Sequence, residues 1–171
     1  MRVNHQFSHL LLAWIFFSTC LVSSSASAIT IGQKSGVNLR ALDGMGDVDL
    51  DKSKGVVVVH LWASWCGYCR LEHTLWRDHL VRLDGVSYYG VSFRDQPANA
   101  QKFLDHADDP FDRHLLLNAA QAKKIGARMV PDTLVFVDGV LRQRYTGFLD
   151  KLKFDDLLMI KLSVLTESYV H

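Results

Sequence analysis

Apolar residues in the middle of the chain fall into runs whose periods alternate between those of strands and helices. Val56 to Trp62, Val-Val-Val-Val-His-Leu-Trp, is almost uninterrupted in apolar and β-branched character. A short run of that kind predicts a central strand covered on both faces. Beyond Cys66, the positions Leu71, Leu75, Trp76, Leu80 and Leu83 recur at helical spacing until Asp84-Gly85, which predicts a helix of about four turns. Val86 to Phe93 predicts a second strand, and Ala98 to Ala107 a second helix, opened after Pro97 and closed by Asp108-Asp109-Pro110. Parallel strands joined by a helix are the simplest reading of that unit.

The remainder is more finely divided. Leu115 to Leu117 predicts a short strand and Ala119 to Ile125 a short helix ending at Gly126. Thr133 to Val137 and Val140 to Tyr145 predict a hairpin, because Asp138-Gly139 between them supplies the positive φ angles of a tight turn. Asp150 is placed to cap a last helix whose apolar positions Leu152, Leu157, Leu158, Ile160, Leu162 and Leu165 carry it to about Thr166. Thr30 to Asp51, studded with Gly and Asp, reads as short strands or an irregular lead-in. The order β-α-β-α, a connecting helix and β-β-α predicts an α/β fold: a mixed central sheet with helices on both faces.

The N-terminal segment changes the domain picture. Arg2 and two histidines precede an apolar run from Leu10 to Val22, followed by Ser23 to Ala28 with Ala26-Ser27-Ala28 as an A-x-A cleavage signal. The run of about 13 residues is shorter than the roughly 20 that cross a bilayer, so residues 1–28 read as a cleaved signal peptide, with an uncleaved anchor as the alternative. Residues 29–171 then form one domain. Cys20 reads as a small apolar residue of this segment rather than a lipidation site. Removing residues 1–28 leaves 18 residues of each charge sign, so nothing electrostatic points to nucleic acid or an anionic membrane as partner. Export to the periplasm places the two remaining cysteines where disulfides persist; an uncleaved segment would hold the domain at the inner membrane.

Those cysteines, Cys66 and Cys69, sit where the central strand ends and a helix begins, and chemistry in open α/β sheets gathers at the carboxyl ends of strands. A thiol attacks a disulfide only as its thiolate, and the unpaired N–H groups and dipole of a helix start favour that charge at Cys66. Cys69, one turn on, is placed to resolve the mixed disulfide. Gly67 lets another chain approach, and Tyr68 adds an exposed aromatic face. A structural bridge closing so short a loop would stabilise weakly. A zinc site lacks a second ligand pair, so no metal and no cofactor is expected. Pro131 precedes a β-rich run and reads either as an ordinary strand-start proline or as a cis-proline.

The segment Trp62-Ala63-Ser64-Trp65-Cys66-x-x-Cys69-Arg70-x-Glu72-His73, with Gly126 to Phe136 and Asp138-Gly139, resembles the thioredoxin superfamily. Within it, the chain is similar to the exported DsbE/CcmG-type thiol:disulfide interchange proteins of cytochrome c maturation. The resemblance implies a thioredoxin-like fold in which Pro131 is a cis-proline facing Cys66 and the Val130 backbone pairs with the bound partner as an added strand. It also implies that Trp65 and Tyr68 meet the substrate and that Glu72 tunes the cysteine pair, the other reading of Glu72 being a solvated helix residue. Departures are Gly67 where the family usually has Pro, Met129 where it usually has Gly, and His60 where cytoplasmic thioredoxins carry a buried acid. His60 reads either as a proton relay to Cys69 or as a plain buried histidine, and His73 as a surface residue.

The function expected is that of a monomeric dithiol enzyme reducing protein disulfides, with apocytochrome c the substrate and a membrane electron donor the re-reductant that the resemblance implies. Isomerase activity is the alternative, because Cys-Gly-Tyr-Cys resembles exported isomerases, although Ile29 to Gly55 is too short for their dimerisation domain. A dedicated oxidase ranks lower, since there is no room for its helical insertion before Pro131. Outside these classes, Trp65, Tyr68 and Met129 could serve a non-catalytic module that binds unfolded exported chains, and no Thr-x-x-Cys context supports a thiol peroxidase.

Overall fold

A computed structural model describes residues 28–79, 85–107, 109–157 and 159. The segment expected to direct export, up to residue 27, and the apolar positions Leu80, Leu83, Leu158, Ile160, Leu162 and Leu165 lie outside them. The strands are β1 (Asn38–Ala41), β2 (Asp47–Asp49), β3 (Val56–Trp62), β4 (Val86–Phe93), β5 (Arg113–Leu117), β6 (Asp132–Val137) and β7 (Val140–Thr146). The helices are α1 (Gly67–His79), α2 (Pro97–Leu104), α3 (Ala119–Ile125) and α4 (151–157). The sheet runs β2-β1-β5-β4-β3-β6-β7, with β4 parallel to both β3 and β5 and every other pairing antiparallel.

β3 lies inside the sheet and all seven of its residues are buried, as an unbroken apolar run requires. Its alternate residues feed two cores. Val57, Val59 and Leu61 pack with Ala122 and Ile125 of α3 and with the lead-in residues Leu39 and Leu50. Val56 and Val58 pack with Trp76 of α1 and with Phe154 and Leu157 of α4, while Trp62 packs with Ala100 of α2 beside the two cysteines. Helices therefore cover both faces, three on one and α3 on the other. The lead-in contributes β1, β2 and a 3-10 turn at Leu50–Lys52 that drives the fully buried Leu50 into the first core.

Two helical stripes differ from the apolar spacing. On α1, Leu71 is 59% exposed, whereas the buried side carries Cys69, Glu72, His73 and Trp76. Entry into α1 from the cysteine turn sets its rotation: with Cys69 and Trp76 inward, residues three and four after Cys69 must follow, polar or not. On α4, Leu152 is 81% exposed, and burial falls to Phe154 and Leu157, with Leu149 just ahead of the helix. Trp76 decides this, since Phe154 meets its indole edge-on with centroids 4.9 Å apart. α2 ends at Leu104, short of Ala107.

α3 begins with a capping box, Asn118 and Gln121 exchanging side-chain to backbone bonds, and ends at Gly126 with φ 68°. The hairpin turn has φ 47° at Asp138 and 78° at Gly139, as its two-residue loop requires. A Cβ on Gly139 would stand 2.3 Å from the Asp51 carbonyl oxygen. Gly139→Ala is therefore expected to lower stability by roughly 2–4 kcal/mol, from left-handed strain plus a backbone clash. Urea denaturation measures this, and a loss under about 0.5 kcal/mol would mean that the turn and the lead-in separate freely.

Candidate active site

The carboxyl end of β3 passes through Ala63 to Cys66 and enters α1 at Gly67. The Cys66 N–H donates to the Ala63 carbonyl, closing a turn. Asp95 in the β4–α2 loop fixes that turn by accepting from Ser64 N at 2.6 Å and Ser64 Oγ at 3.0 Å. Arg70 donates back to the Ser64 carbonyl, and the Trp65 indole donates to the Arg94 carbonyl at 3.0 Å. Cys66 and Cys69 form a disulfide, their Cα atoms 5.3 Å apart, and the Cys69 N–H points at Cys66 Sγ at 3.1 Å. That contact is the helix-start donor a Cys66 thiolate would use.

Burial around the pair is uneven. Cys66 and Cys69 are 6% and 3% exposed, while Trp65 and Tyr68 stand out at 57% and 65%. Val130 packs against the Trp62, Ala63, Cys66 and Cys69 cluster, which brings the loop before β6 over the disulfide. The Val130–Pro131 peptide is cis. Asp132, fully buried, anchors this loop: Arg144 pairs with both its carboxylate oxygens and also donates to the Ile125 and Gly126 carbonyls. Thr146 Oγ1 adds a further bond to Asp132, so β6, β7 and the end of α3 hold the cis-proline loop from behind.

Beneath the cysteines lies a buried polar chain. Glu72 accepts a hydrogen bond from Leu149 N, and its second oxygen is 3.5 Å from His60 Nε2. His60 Nδ1 is 3.0 Å from Thr133 Oγ1. Burial raises the Glu72 pKa to about 8 against the weaker pull of the Leu149 N–H and Lys153. It also lowers that of His60 to about 3, with His73 and His114 adding to the effect. At neutral pH both groups are uncharged, so their contact is not an ion pair. The imidazole is enclosed by aromatic rings, stacked on Phe111 and tilted against Trp76.

Glu72 is thus buried rather than solvated, and His73, read from sequence as a surface residue, is 7% exposed. The same rotation of α1 explains both. Burial lowers the His73 pKa, its ring meets Trp62, Phe103 and Phe111 edge-on, and its Nε2 has no hydrogen-bond partner among the described residues. The structure packs Val130 against Cys66 and Cys69, with the buried Pro131 next to it in the chain, and leaves Trp65 and Tyr68 exposed on the cysteine turn and the first turn of α1. Asp95, Thr133 and the Asp132–Arg144 pair escaped the sequence reading. Only Asp132, a charge directly after Pro131 in an apolar run, carried a visible signal. Among the described residues no group of three or more His, Cys, Asp or Glu is placed to hold a metal ion, and no helix is long and apolar enough to cross a membrane.

Residues 27–156 match the Redoxin family model. The thiol:disulfide interchange protein DsbE of Pseudomonas fluorescens is 32% identical over 119 residues, 64% of this chain and 62% of that protein. The thiol:disulfide interchange protein HelX of Rhodobacter capsulatus is 39% identical over 102 residues, 56% of this chain and 53% of that one. The chain thus spans little more than half the length of these relatives. Among solved structures, a thioredoxin-family thiol:disulfide interchange protein from Chlorobium tepidum aligns with TM-score 0.58 and 17% identity over 80% of this chain and 99% of that one. A thioredoxin-like protein from Aeropyrum pernix aligns with TM-score 0.60 and 16% identity over 73% and 89%. The fold is thioredoxin-like.

The shifts of Glu72 and His60 make stability depend on pH. Glu72 folds with a raised pKa, so its contribution is complete below about pH 4.5 and is lost as pH rises towards 8. His60 folds with a lowered pKa, so its contribution is complete above about 6.5 and is lost as pH falls towards 3. Between about pH 7 and 8 the Glu72 effect outweighs the residual, opposite contributions of His60 and His73, whose pKa values burial lowers, and stability is expected to fall with pH by less than about 1.4 kcal/mol per unit. Urea titrations across that window should show this fall in the native sequence and no fall, or a slight rise, in Glu72→Gln; equal slopes would mean that Glu72 ionises freely.

Proposed function

The chain is a member of the Redoxin family, and from that membership we propose that it is an exported thiol:disulfide oxidoreductase that reduces disulfides in protein substrates, as a reductant of the cytochrome c maturation type. The observation that carries this reading is the Cys66–Cys69 disulfide at the first turn of α1, with Val130 packed beside it. A structural bridge has no need of an exposed Trp65 and Tyr68 around it. Both named relatives are thiol:disulfide interchange proteins.

In the reduced protein the Cys66 thiolate attacks one sulfur of a substrate disulfide. The substrate S–S bond breaks, a mixed disulfide forms, and the departing substrate thiolate takes up a proton. The Cys69 thiolate then attacks Cys66 Sγ, breaking the mixed disulfide and releasing the second substrate thiol. Two electrons and two protons pass to the substrate, and the Cys66–Cys69 disulfide remains. An exported dithiol donor, here a membrane protein, restores the pair by the same steps in reverse. The substrate backbone adds as a strand beside Val130 and Pro131, while Trp65 and Tyr68 supply apolar contact. Apocytochrome c is the substrate and the periplasm the compartment in this reading, with residues 1–28 as the export signal.

Glu72 lies one turn beyond Cys69 on the buried side of α1 and serves as a tuning residue. Neutral below about pH 8, it leaves the Cys69 thiolate unopposed; ionised, it raises the cost of that charge. His60, neutral throughout this range, positions Glu72 and Thr133 rather than moving a proton itself.

Equilibration of the purified protein with dithiothreitol buffers tests the reading. A reduction potential near or below about −270 mV is expected of a reductant, and a value near −120 mV would make it an oxidase instead. Cys66→Ala should abolish reduction of a peptide disulfide, by more than about a thousandfold in rate, whereas Cys69→Ala should accumulate the mixed disulfide on Cys66, visible by mass spectrometry. Full activity in Cys66→Ala would end the proposal.

A further inference from the structure

A cleft of about 680 Å³ opens next to the redox turn, between the carboxyl ends of β4 and β5, α3 and the loop leading to Val130. Its floor is apolar, from the buried Phe93 and Leu117, and its rim carries Arg94, Lys123 and Arg128. Among the described residues, which include Ala28 at its wall, no acidic side chain lines it. All three cationic side chains are exposed, and among the described residues none makes an ion pair or a side-chain hydrogen bond; Arg94 stacks over Phe93 at 5.0 Å. Elsewhere Lys52, Arg144 and Lys151 each face an aspartate, while Arg40, Lys54, Lys102 and Arg142 are exposed like the cleft cations but are not gathered around a concavity with them. In a chain of net charge +1, three unmatched cations around one concavity are a local excess.

The cleft adjoins the surface where substrate would be read. Trp65 donates its indole N–H to the Arg94 carbonyl, so the cysteine turn and the rim share a residue. Arg128 stands two residues ahead of Val130, and Met129 between them is 54% exposed. A chain lying along Val130 therefore extends past Met129 and Arg128 into the cleft. We propose that this cleft is a specificity subsite that holds carboxylate side chains of the substrate polypeptide a few residues to one side of its reactive cysteine. Charge complementarity selects an acidic segment, and the apolar floor takes the methylene stems of its Asp or Glu residues. The proposal deepens the oxidoreductase reading, yet the binding it describes needs no turnover.

The test uses two blocked peptides without cysteine, one alternating Gly with Asp and one alternating Gly with Lys, titrated into ¹⁵N-labelled protein. The acidic peptide is expected to shift the amides of Arg94 and residues 118–128, and the basic one to leave them unmoved. Raising salt from about 50 to 500 mM should weaken the acidic binding several-fold. The double variant Lys123→Glu with Arg128→Glu should weaken it about tenfold or more, from two lost pairs and two repulsions, and Arg128→Glu alone should act in the same direction if the double variant melts early. In parallel, disulfide peptides with acidic or basic flanks should differ in kcat/KM for the native protein and lose the difference in the variants, while reduction of an uncharged disulfide peptide is unchanged. Equal binding of both peptides overturns the subsite, and inorganic phosphate competing as strongly as the acidic peptide overturns the polypeptide as its occupant. Acidic binding that vanishes in the variants without any disulfide reduction would uphold the subsite and sink the oxidoreductase reading.

Discussion

The side of α1 that packs on β3 carries a thiol, a carboxyl and an imidazole into a space closed to water, and the rest of the site follows from that burial. Cys69, Glu72 and His73 are each under a tenth exposed, and His60 of β3 meets Glu72 there. Charges are expensive there, so the carboxyl keeps its proton and the imidazoles lose theirs. An uncharged core beneath the cysteines leaves negative charge to develop at Cys66, where the Cys69 N–H at the opening of the helix can receive it. The same packing fixes which residues face outward: once Cys69 and Trp76 are inward, Tyr68 and Leu71 must be exposed.

Two anions of the frame hold this arrangement from outside. Asp95 clamps the turn before Cys66 through Ser64, and Asp132 clamps the strand after Pro131 through Arg144 and Thr146. Asp95 ties the β4–α2 loop to the cysteine turn 31 residues away, and Asp132 ties β6 to β7 and, through Arg144, to the end of α3. Arg144 also satisfies the last carbonyls of α3, so the helix that walls the basic cleft is tied to the same anchor as the proline loop. In the proposed function, thiol chemistry, strand addition and charge readout would thus rest on one scaffold, with Cys66 and Cys69 on the helix side and Val130 and the basic cleft on the loop side.

Local rules sufficed wherever neighbours along the chain settle the outcome. The β-branched run of β3, Asp138-Gly139 in its two-residue turn, Gly126 ending α3 and the Cys-x-x-Cys opening α1 each act through backbone conformation within a few residues, and each stands where the pattern placed it. The β-α-β order dictated a mixed sheet with helices on both faces, because crossover connections leave few other arrangements. Sequence alone thereby determined the architecture and the place of the Cys66–Cys69 pair at the opening of α1.

What only the tertiary structure decided is the burial and partnership of side chains whose contacts come from distant segments. An apolar count along α1 pointed to Leu71, but the rotation set at the cysteine turn buried Glu72 and His73 in its stead. The partners of His60 are Thr133, 73 residues on, and Glu72 on a different element, and no local pattern pairs them. Arg94, Lys123 and Arg128 are unremarkable cations in a nearly neutral chain until folding gathers them at one rim. Hydrophobic periodicity fixes which elements form, because burial of apolar area is roughly additive along a segment. The pKa of a carboxyl and the sign of a cleft depend instead on every charge and dipole brought within a few ångströms, and those distances exist only in the folded chain.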